Sequence, residues 1–279
     1  MSKKLIINAD DYGICPSVNY AIEYLIRAGR LLDVSILANF KLYEESADFL
    51  LRQPEFAVGV HLNVVEGAAV SPAGKVKILL GSDGKFLNLS RVLLRYARAP
   101  FAVSEAVEIE WRNQIELLLD SGLKISHADT HQHIHAFPPF WKILMKICND
   151  YGIVAARLPR EKSEIGLRRA AGFALCQAAN VSRAIFPNRN VRLNNHFLGF
   201  KRAGFYGEAE MIADVKNLKN GVTELCLHPS LDDGVPYPAL RGTLEYEALT
   251  GSKLWRQIAE SEIEITTWTK FSKTASAAN

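Results

Sequence analysis

The sequence predicts an irregular, TIM-like (β/α) barrel, an α/β fold with mostly parallel strands in a single domain. Three observations predict it. Short β-rich runs alternate with amphipathic helices along nearly the whole chain. About seven such runs occur, enough for an open or irregular barrel. Polar residues able to do chemistry fall at the ends of those runs, which a parallel architecture gathers on one face. The 279 residues would suit two average domains, but barrels of ~200–250 residues commonly form one.

The elements follow in order. Leu5–Asn8 is an apolar strand, and Pro16 opens a helix with Val18, Ile22, Leu25 and Ile26 on one face, stopped by Gly29. Val34–Ala38 is the second strand, Tyr43–Leu51 a helix, and Ala57–Leu62 the third strand. Ser104 is read as the N-cap of a long helix carrying Val107, Trp111, Ile115 and Leu118, which ends before Gly122. Ile125–Asp129 is strand four, Phe140–Asn149 a helix, and Val154–Leu158 strand five. Glu208–Leu218 is a helix closed by Gly221; Thr223–Leu227 and Ile263–Trp268 are strands, with a helix near Tyr246–Ser261 between them. Two stretches break the rhythm: Val64–Val103, about forty residues punctuated by Pro72, Gly74, Gly81, Gly84 and Pro100, and Asn188–Gly207. Long loops in compact domains are usually functional, so both are expected to border the site and set substrate size. The domain is expected to span residues 1–271, with 272–279 a flexible tail.

Apolar residues make up 48% and charged residues 23% of the chain, the balance of a globular protein with a sizeable core. The net charge of +3 is spread along the sequence with no basic block interleaved with aromatics, which argues against nucleic acid as a partner. Lys3 and Lys4 precede only a short apolar run. That pattern is not a secretory signal, and no run approaches the ~20 residues of a membrane span. Cys15, Cys148, Cys176 and Cys226 form no CxxC pair and read as reduced thiols of a cytoplasmic protein.

The chemistry sits at the strand ends. Asp10 and Asp11 follow strand one, His61 ends strand three, and Asp129, His131, His133 and His135 follow strand four. Arg157 ends strand five and His228 ends Glu224–Leu227. Adjacent carboxylates cannot both be buried without a cation or a proton to offset them. One carboxylate and two imidazoles bind a divalent metal with positions left open, and such a metal acidifies water near neutral pH. The blander reading of Asp10-Asp11 is a helix-entry carboxylate beside an Asx-turn, and that of His61 a hydrogen-bonded core histidine. Neither accounts for the cluster His131-Gln132-His133-Ile134-His135. His133 and His135 stay open as competing ligands, because His131 and His135 stand one helical turn apart. Cys226 reads as an inert buried thiol. Trp111 reads as core, and Phe197, Phe200, Phe205 and Tyr206 read as loop packing or a sugar-stacking surface.

Four motifs, Asn8-Ala9-Asp10-Asp11-Tyr12-Gly13, Gly59-Val60-His61-Leu62, His127 through His135, and Glu224-Leu225-Cys226-Leu227-His228-Pro229, together resemble the YdjC-like (ChbG/HpnK) carbohydrate deacetylase family over nearly the whole chain. The resemblance implies an irregular TIM-like barrel that removes N-acetyl groups from sugars with one divalent metal ion, Mg or Zn. It implies that Asp11, His61 and His131 hold the metal, that Asp10 is the general base and that His228 is the general acid. Arg157 looks like the arginine the family keeps near substrate or catalytic carboxylate, and is read as substrate-binding. The partner implied is an N-acetylated saccharide, and the assembly implied is a homodimer. Tyr12 stands where Phe is common, and Phe137 where a hopanoid-associated branch tends to have His.

Other readings remain: a deacetylase of a glycosylated lipid, a metal phosphoesterase or glycosidase, or a catalytically silent sugar-binding protein. A glycosidase needs two carboxylates ~5–9.5 Å apart on one substrate, which adjacent Asp10 and Asp11 fit poorly. A silent protein predicts a lost base or acid, whereas Asp10 and His228 are both present.

Overall fold

A computed structural model describes residues 2–53, 56–161, 167–203, 205–234, 237 and 240–273. Positions 274–279 of the expected tail lie outside these; residues 272 and 273 close a helix, Trp268–Lys273. Among the described residues, nine strands form one sheet: β1 (Lys3–Tyr12), β2 (Asp33–Ile36), β3 (Ala57–Leu62), β4 (Ile125–Thr130), β5 (Ala155–Ala156), β6 (Arg192–Leu193), β7 (His196–Leu198), β8 (Gly221–Leu227) and β9 (Glu264–Ile265). The order is β6-β5-β4-β3-β2-β1-β8-β7, with β9 beside β1, and the described pairings are parallel. Consecutive strands linked by crossover helices can only pair this way. The sheet curls into a barrel with a seam between β6 and β7. Asn194 laces that seam: its Oδ1 accepts from Leu158 N at 2.6 Å, and its Nδ2 donates to Leu158 O and His196 O.

Several boundaries differ from expectation for local reasons. The long helix starts at Pro100, not after Ser104, because proline fits the first helical turn, where its missing N–H has no partner to lose. Tyr246–Ser261 resolves into two helices, Gly242–Thr250 and Lys253–Glu260, parted at Gly251. Ile263–Trp268 contributes only β9, because Trp268 already begins the closing helix. The helices Leu89–Arg98 and Leu167–Ile185 and the short strands β6 and β7 had no counterpart in the sequence reading.

The eight residues of β1 from Leu5 to Tyr12 are buried, as a parallel strand covered on both sides must be. The helix Pro16–Arg27 packs against β1, and the helix Pro100–Asp120, with fully buried Trp111 and Ile115, packs against β3. The inner face is polar. Asn8 and Asp10, Ser35, Gly59 and His61, His127 and Asp129, and Glu224 and Cys226 fall on alternate positions of five strands, and all are buried; the side chains of Asn8, Asp10, Ser35, His61, His127, Asp129 and Cys226 touch one another inside the barrel, and Arg157 ties Glu224 to them. At Gly59, an added Cβ would lie 2.3 Å from the His127 ring, so only glycine leaves room for that imidazole. Trp268 plugs the barrel floor, stacked on His127 with centroids 5.0 Å apart, its backbone N–H donating to Asp33.

Candidate metal centre and acid–base site

Strand alternation would turn Asp10 inward and Asp11 outward. A register shift between Ala9 and Tyr12, with φ of +62° at Asp11, brings the Asp11 carboxylate to the mouth as well. Such a bulge re-aims one side chain without disturbing the strand around it. Gln132 and His133 also have positive φ. Three of the four described non-glycine residues in this region of conformational space thus flank the mouth, as strain held in place for function does.

Asp11, His61 and His131 converge. Asp11 Oδ1 lies 2.9 Å from His131 Nδ1 and 3.3 Å from His61 Nε2, and each residue offers one ligand atom within 4.8 Å of the other two. All three are buried. His61 Nδ1 faces Asp129 Oδ1 at 2.6 Å, which fixes the proton on Nδ1 and leaves the Nε2 lone pair for the mouth. Burial alone would raise the Asp11 pKa, but His131 and His61 hold it well below the usual range. Burial opposes charge on the imidazoles too, yet the carboxylates win: Asp10 and Asp129 push His61 up to about 10, and Asp11 pushes His131 up to about 9. The cluster therefore calls for positive charge. One carboxylate oxygen and two imidazole nitrogens, aimed at one another and oriented from behind, fit a divalent ion.

Neither competing histidine joins them. His135 is fully buried, with Nδ1 2.6 Å from Thr130 Oγ1 and Nε2 3.0 Å from the Arg157 carbonyl. His133 packs its ring against Phe197 and Phe200, and burial lowers its pKa well below the ordinary value.

Asp10 lies beside the triad, its Oδ2 3.9 Å from His61 Nε2. Arg157 grips it with two parallel hydrogen bonds of 2.6 and 2.7 Å, Asn8 Nδ2 donates at 2.7 Å, and the Cys226 thiol donates at 3.1 Å. Burial would raise this carboxyl, but Arg157 and His61 bring it below its ordinary value. Arg157 has no exposed surface; beyond Asp10 it pairs with Asp129 at 2.9 Å and Glu224 at 2.8 Å, and it lies over the Phe197 ring. His228 completes the ring of groups, offering a nitrogen within 4.8 Å of Asp10 and Cys226 ligand atoms. Its Nδ1 is buried without a hydrogen-bond partner among the described residues, and burial lowers its pKa.

The structure thus brings together Asp10, Asp11, His61, His131, Arg157 and His228. Sequence reasoning noted Asp129 and Glu224 without giving them roles, although both hold an alternate inward position beside a site residue. Ser35, which donates to Asp129 Oδ2 at 2.7 Å, and Glu66 and Tyr237, which reach His131, gave no signal. The first long loop enters the site through Glu66 and the second through Phe197 and Phe200.

The family described as YdjC-like protein matches residues 4–260. A carbohydrate deacetylase of Brevibacillus brevis is 27% identical over 279 residues, covering 96% of this chain and 99% of the relative. A carbohydrate deacetylase of Danio rerio is 30% identical over 247 residues, covering 85% and 74% respectively. Among solved structures, an Enterococcus faecalis protein provisionally assigned to cellobiose-phosphate cleavage superposes with a TM-score of 0.75 at 22% identity, covering 97% of this chain and 99% of that one. That likeness establishes the shared fold.

Proposed function

The chain belongs to the YdjC-like protein family, and on that premise we propose that it is a metal-dependent carbohydrate deacetylase that hydrolyses the N-acetyl group of an amino sugar. One observation carries the reading. A three-residue cluster able to hold a metal ion stands beside a separately anchored carboxylate, Asp10, and a histidine, His228, whose Nδ1 has no hydrogen-bond partner among the described residues. Curated relatives that match most of the chain carry the name carbohydrate deacetylase, which supports the substrate class.

Asp11, His61 and His131 would hold the ion. When bound, a divalent ion polarises the amide carbonyl and acidifies the attacking water. Two imidazoles with one carboxylate suit zinc better than magnesium, which prefers oxygen donors. Asp10 is kept ionised by Arg157, so it can take a proton from water as the new C–O bond forms. Arg157 itself, buried behind Asp10, serves as a positioning residue rather than a substrate contact. His228, whose pKa burial lowers, has a nitrogen within 4.8 Å of an Asp10 oxygen, a gap that one bridging water spans in passing on the proton Asp10 has taken. Once protonated it gives that proton to the amine nitrogen as the C–N bond breaks, since an amide anion cannot leave.

The test is acetate release from a set of N-acetylated mono- and oligosaccharides, with and without chelator, followed by zinc or magnesium add-back. Chelator-sensitive release restored by metal is expected. Release indifferent to chelation across every active substrate would overturn the reading.

A further inference from the structure

The helix Pro100–Asp120 turns Val107, Trp111, Ile115 and Leu118 to the core, yet it also buries Glu110 and Gln114 completely. Buried polar groups are costly unless they are paired. These are paired with one segment, residues 63–71, which follows β3. Glu110 Oε1 accepts from Val70 N and Glu110 Oε2 from Ser71 N, both at 2.9 Å, and Gln114 Nε2 donates to Glu110 Oε1 at 2.8 Å. Asn113 Nδ2 donates to Ser71 Oγ at 2.8 Å. At the other end of the segment, Gln114 Oε1 accepts from Asn63 N at 2.9 Å, and Gln114 Nε2 donates to Asn63 O at 2.6 Å. Positions 110, 113 and 114 are neighbours on one side of a helix, so a single helix grips both ends of the loop.

The middle of the loop is held from a third point. Asn39, three residues beyond β2, donates from Nδ2 to the carbonyls of Glu66 and Ala68, each at 3.0 Å. Asn63 Nδ2 adds a bond to the Glu66 carbonyl at 2.9 Å. Gly67 has a φ of +77°, and an added Cβ there would lie 3.0 Å from Asn39 Nδ2, so the turn closes tightly around that amide. The loop begins two residues after His61 and brings the Glu66 carboxylate to 3.3 Å from His131 Nε2. It is therefore a wall of the mouth. Opening it would strip the Val70 and Ser71 N–H groups and both backbone groups of Asn63 of their partners.

We propose that Glu110, Asn113 and Gln114 are positioning residues that hold residues 63–71 as a fixed wall of the mouth, and that this wall sets the length of N-acetylated saccharide the site admits. The inference rests on the deacetylase reading for what the wall admits, and on hydrogen-bond geometry alone for how the wall is held. It makes specificity a property of the helix behind the loop as well as of the loop.

The test uses the full-length protein. Amide hydrogen exchange reads the loop, and kcat and KM across N-acetylated mono-, di- and trisaccharides read the wall. Glu110→Gln keeps the side-chain shape but replaces one acceptor with a donor. Exchange within 63–71 should then speed up by about 10-fold or more, the usual effect of a buried group left unpaired. KM for the best saccharide should rise more than kcat falls. The ratio of kcat/KM between the best and worst saccharides should shrink by roughly 10-fold, the discrimination one lost wall contact carries. Asn113→Ala, which removes only the Ser71 Oγ contact, should act in the same direction and less strongly. Ile115→Val, in the apolar core of the same helix, should lower the denaturation midpoint and leave that ratio unchanged. Unchanged loop exchange in Glu110→Gln would overturn the proposal. So would faster exchange with an unchanged ratio, or the same change of ratio in Ile115→Val, which assigns the effect to lost stability. If wild type hydrolyses no saccharide, the deacetylase reading fails on its own. The wall is then decided by whether added trisaccharide protects the loop amides in wild type and not in Glu110→Gln, and absence of protection in wild type overturns it.

Discussion

At the barrel mouth, Asp11, His61 and His131 bury a carboxylate among imidazoles; one layer below, Asp10, Asp129 and Glu224 bury three carboxylates around Arg157. Both are charged clusters shut away from water, and burying unbalanced charge is costly. The lower layer carries its own counter-ion. Arg157 reaches all three acids, and the floor adds a Trp268 indole N–H toward Glu224 at 3.3 Å. The mouth has no lysine or arginine among the described contacts of Asp11, and its histidines are driven toward the protonated form instead. The difference separates an internal scaffold, complete as folded, from a site built to receive a cation.

The sharpest way to break that comparison is to remove a mouth ligand. Asp11→Ala should abolish stoichiometric metal by elemental analysis and reduce acetate release to background, with the fold intact by circular dichroism. His135→Ala should retain metal, since both His135 nitrogens are spent on Thr130 and Arg157. Metal lost only in His135→Ala would reverse the ligand assignment.

Next in size are the proton-handling groups, Asp10 of the lower layer and His228 beside it. Asp10→Asn and His228→Ala should each lower kcat by about 10²–10⁴-fold, the usual contribution of a general acid or base, while metal content stays near wild type. Near-normal turnover in His228→Ala would remove it from the acid role. In the lower layer the effect should fall on stability. Arg157→Met leaves Asp10, Asp129 and Glu224 without their shared cation, at about 3–5 kcal/mol for a broken buried ion pair, measured as a lower denaturation midpoint. A variant that unfolds at the wild-type midpoint would mean that the acids take up protons without cost.

Much of this division was legible in the sequence because strands alternate. Asp10, His61, Asp129 and Cys226 stand at inward positions near strand ends, so reading strand ends collects them without coordinates. Asp11 was found as a neighbour of Asp10, although its orientation depends on a bulge that no composition rule announces. What stayed hidden depends on distance in the chain. Glu66 and Tyr237 reach His131 across 65 and 106 positions from irregular loops, where no periodicity operates. Strands β6 and β7, two and three residues long, are too short to show a period. The helix Leu167–Ile185 follows a stretch with no strand signal to frame it.

Glu245 offers a third solution to buried charge, and a finer test of the same comparison. It sits on helix Gly242–Thr250, buried, and its Oε2 accepts from the backbone N–H of His228. Burial pushes its pKa up to about 8, only partly opposed by that hydrogen bond. No lysine or arginine among the described residues pairs with it, and it keeps its proton. In the unfolded chain the same carboxyl ionises near its ordinary value of 4.5. Between about pH 4.5 and 8 the native state therefore binds the extra proton, and stability falls as pH rises through that window. Glu245→Gln keeps an acceptor oxygen for His228 N and cannot ionise. Relative to wild type, the variant should gain as pH rises from 5 to 9, with a Tm difference that shifts in its favour by about 2–4 °C for each kcal/mol recovered. Scanning calorimetry of both proteins at pH 5, 7 and 9 reads this directly. Parallel Tm profiles would mean that Glu245 is ionised in the native protein, and that the rim around His228 is balanced by charge, as the layer beneath it is.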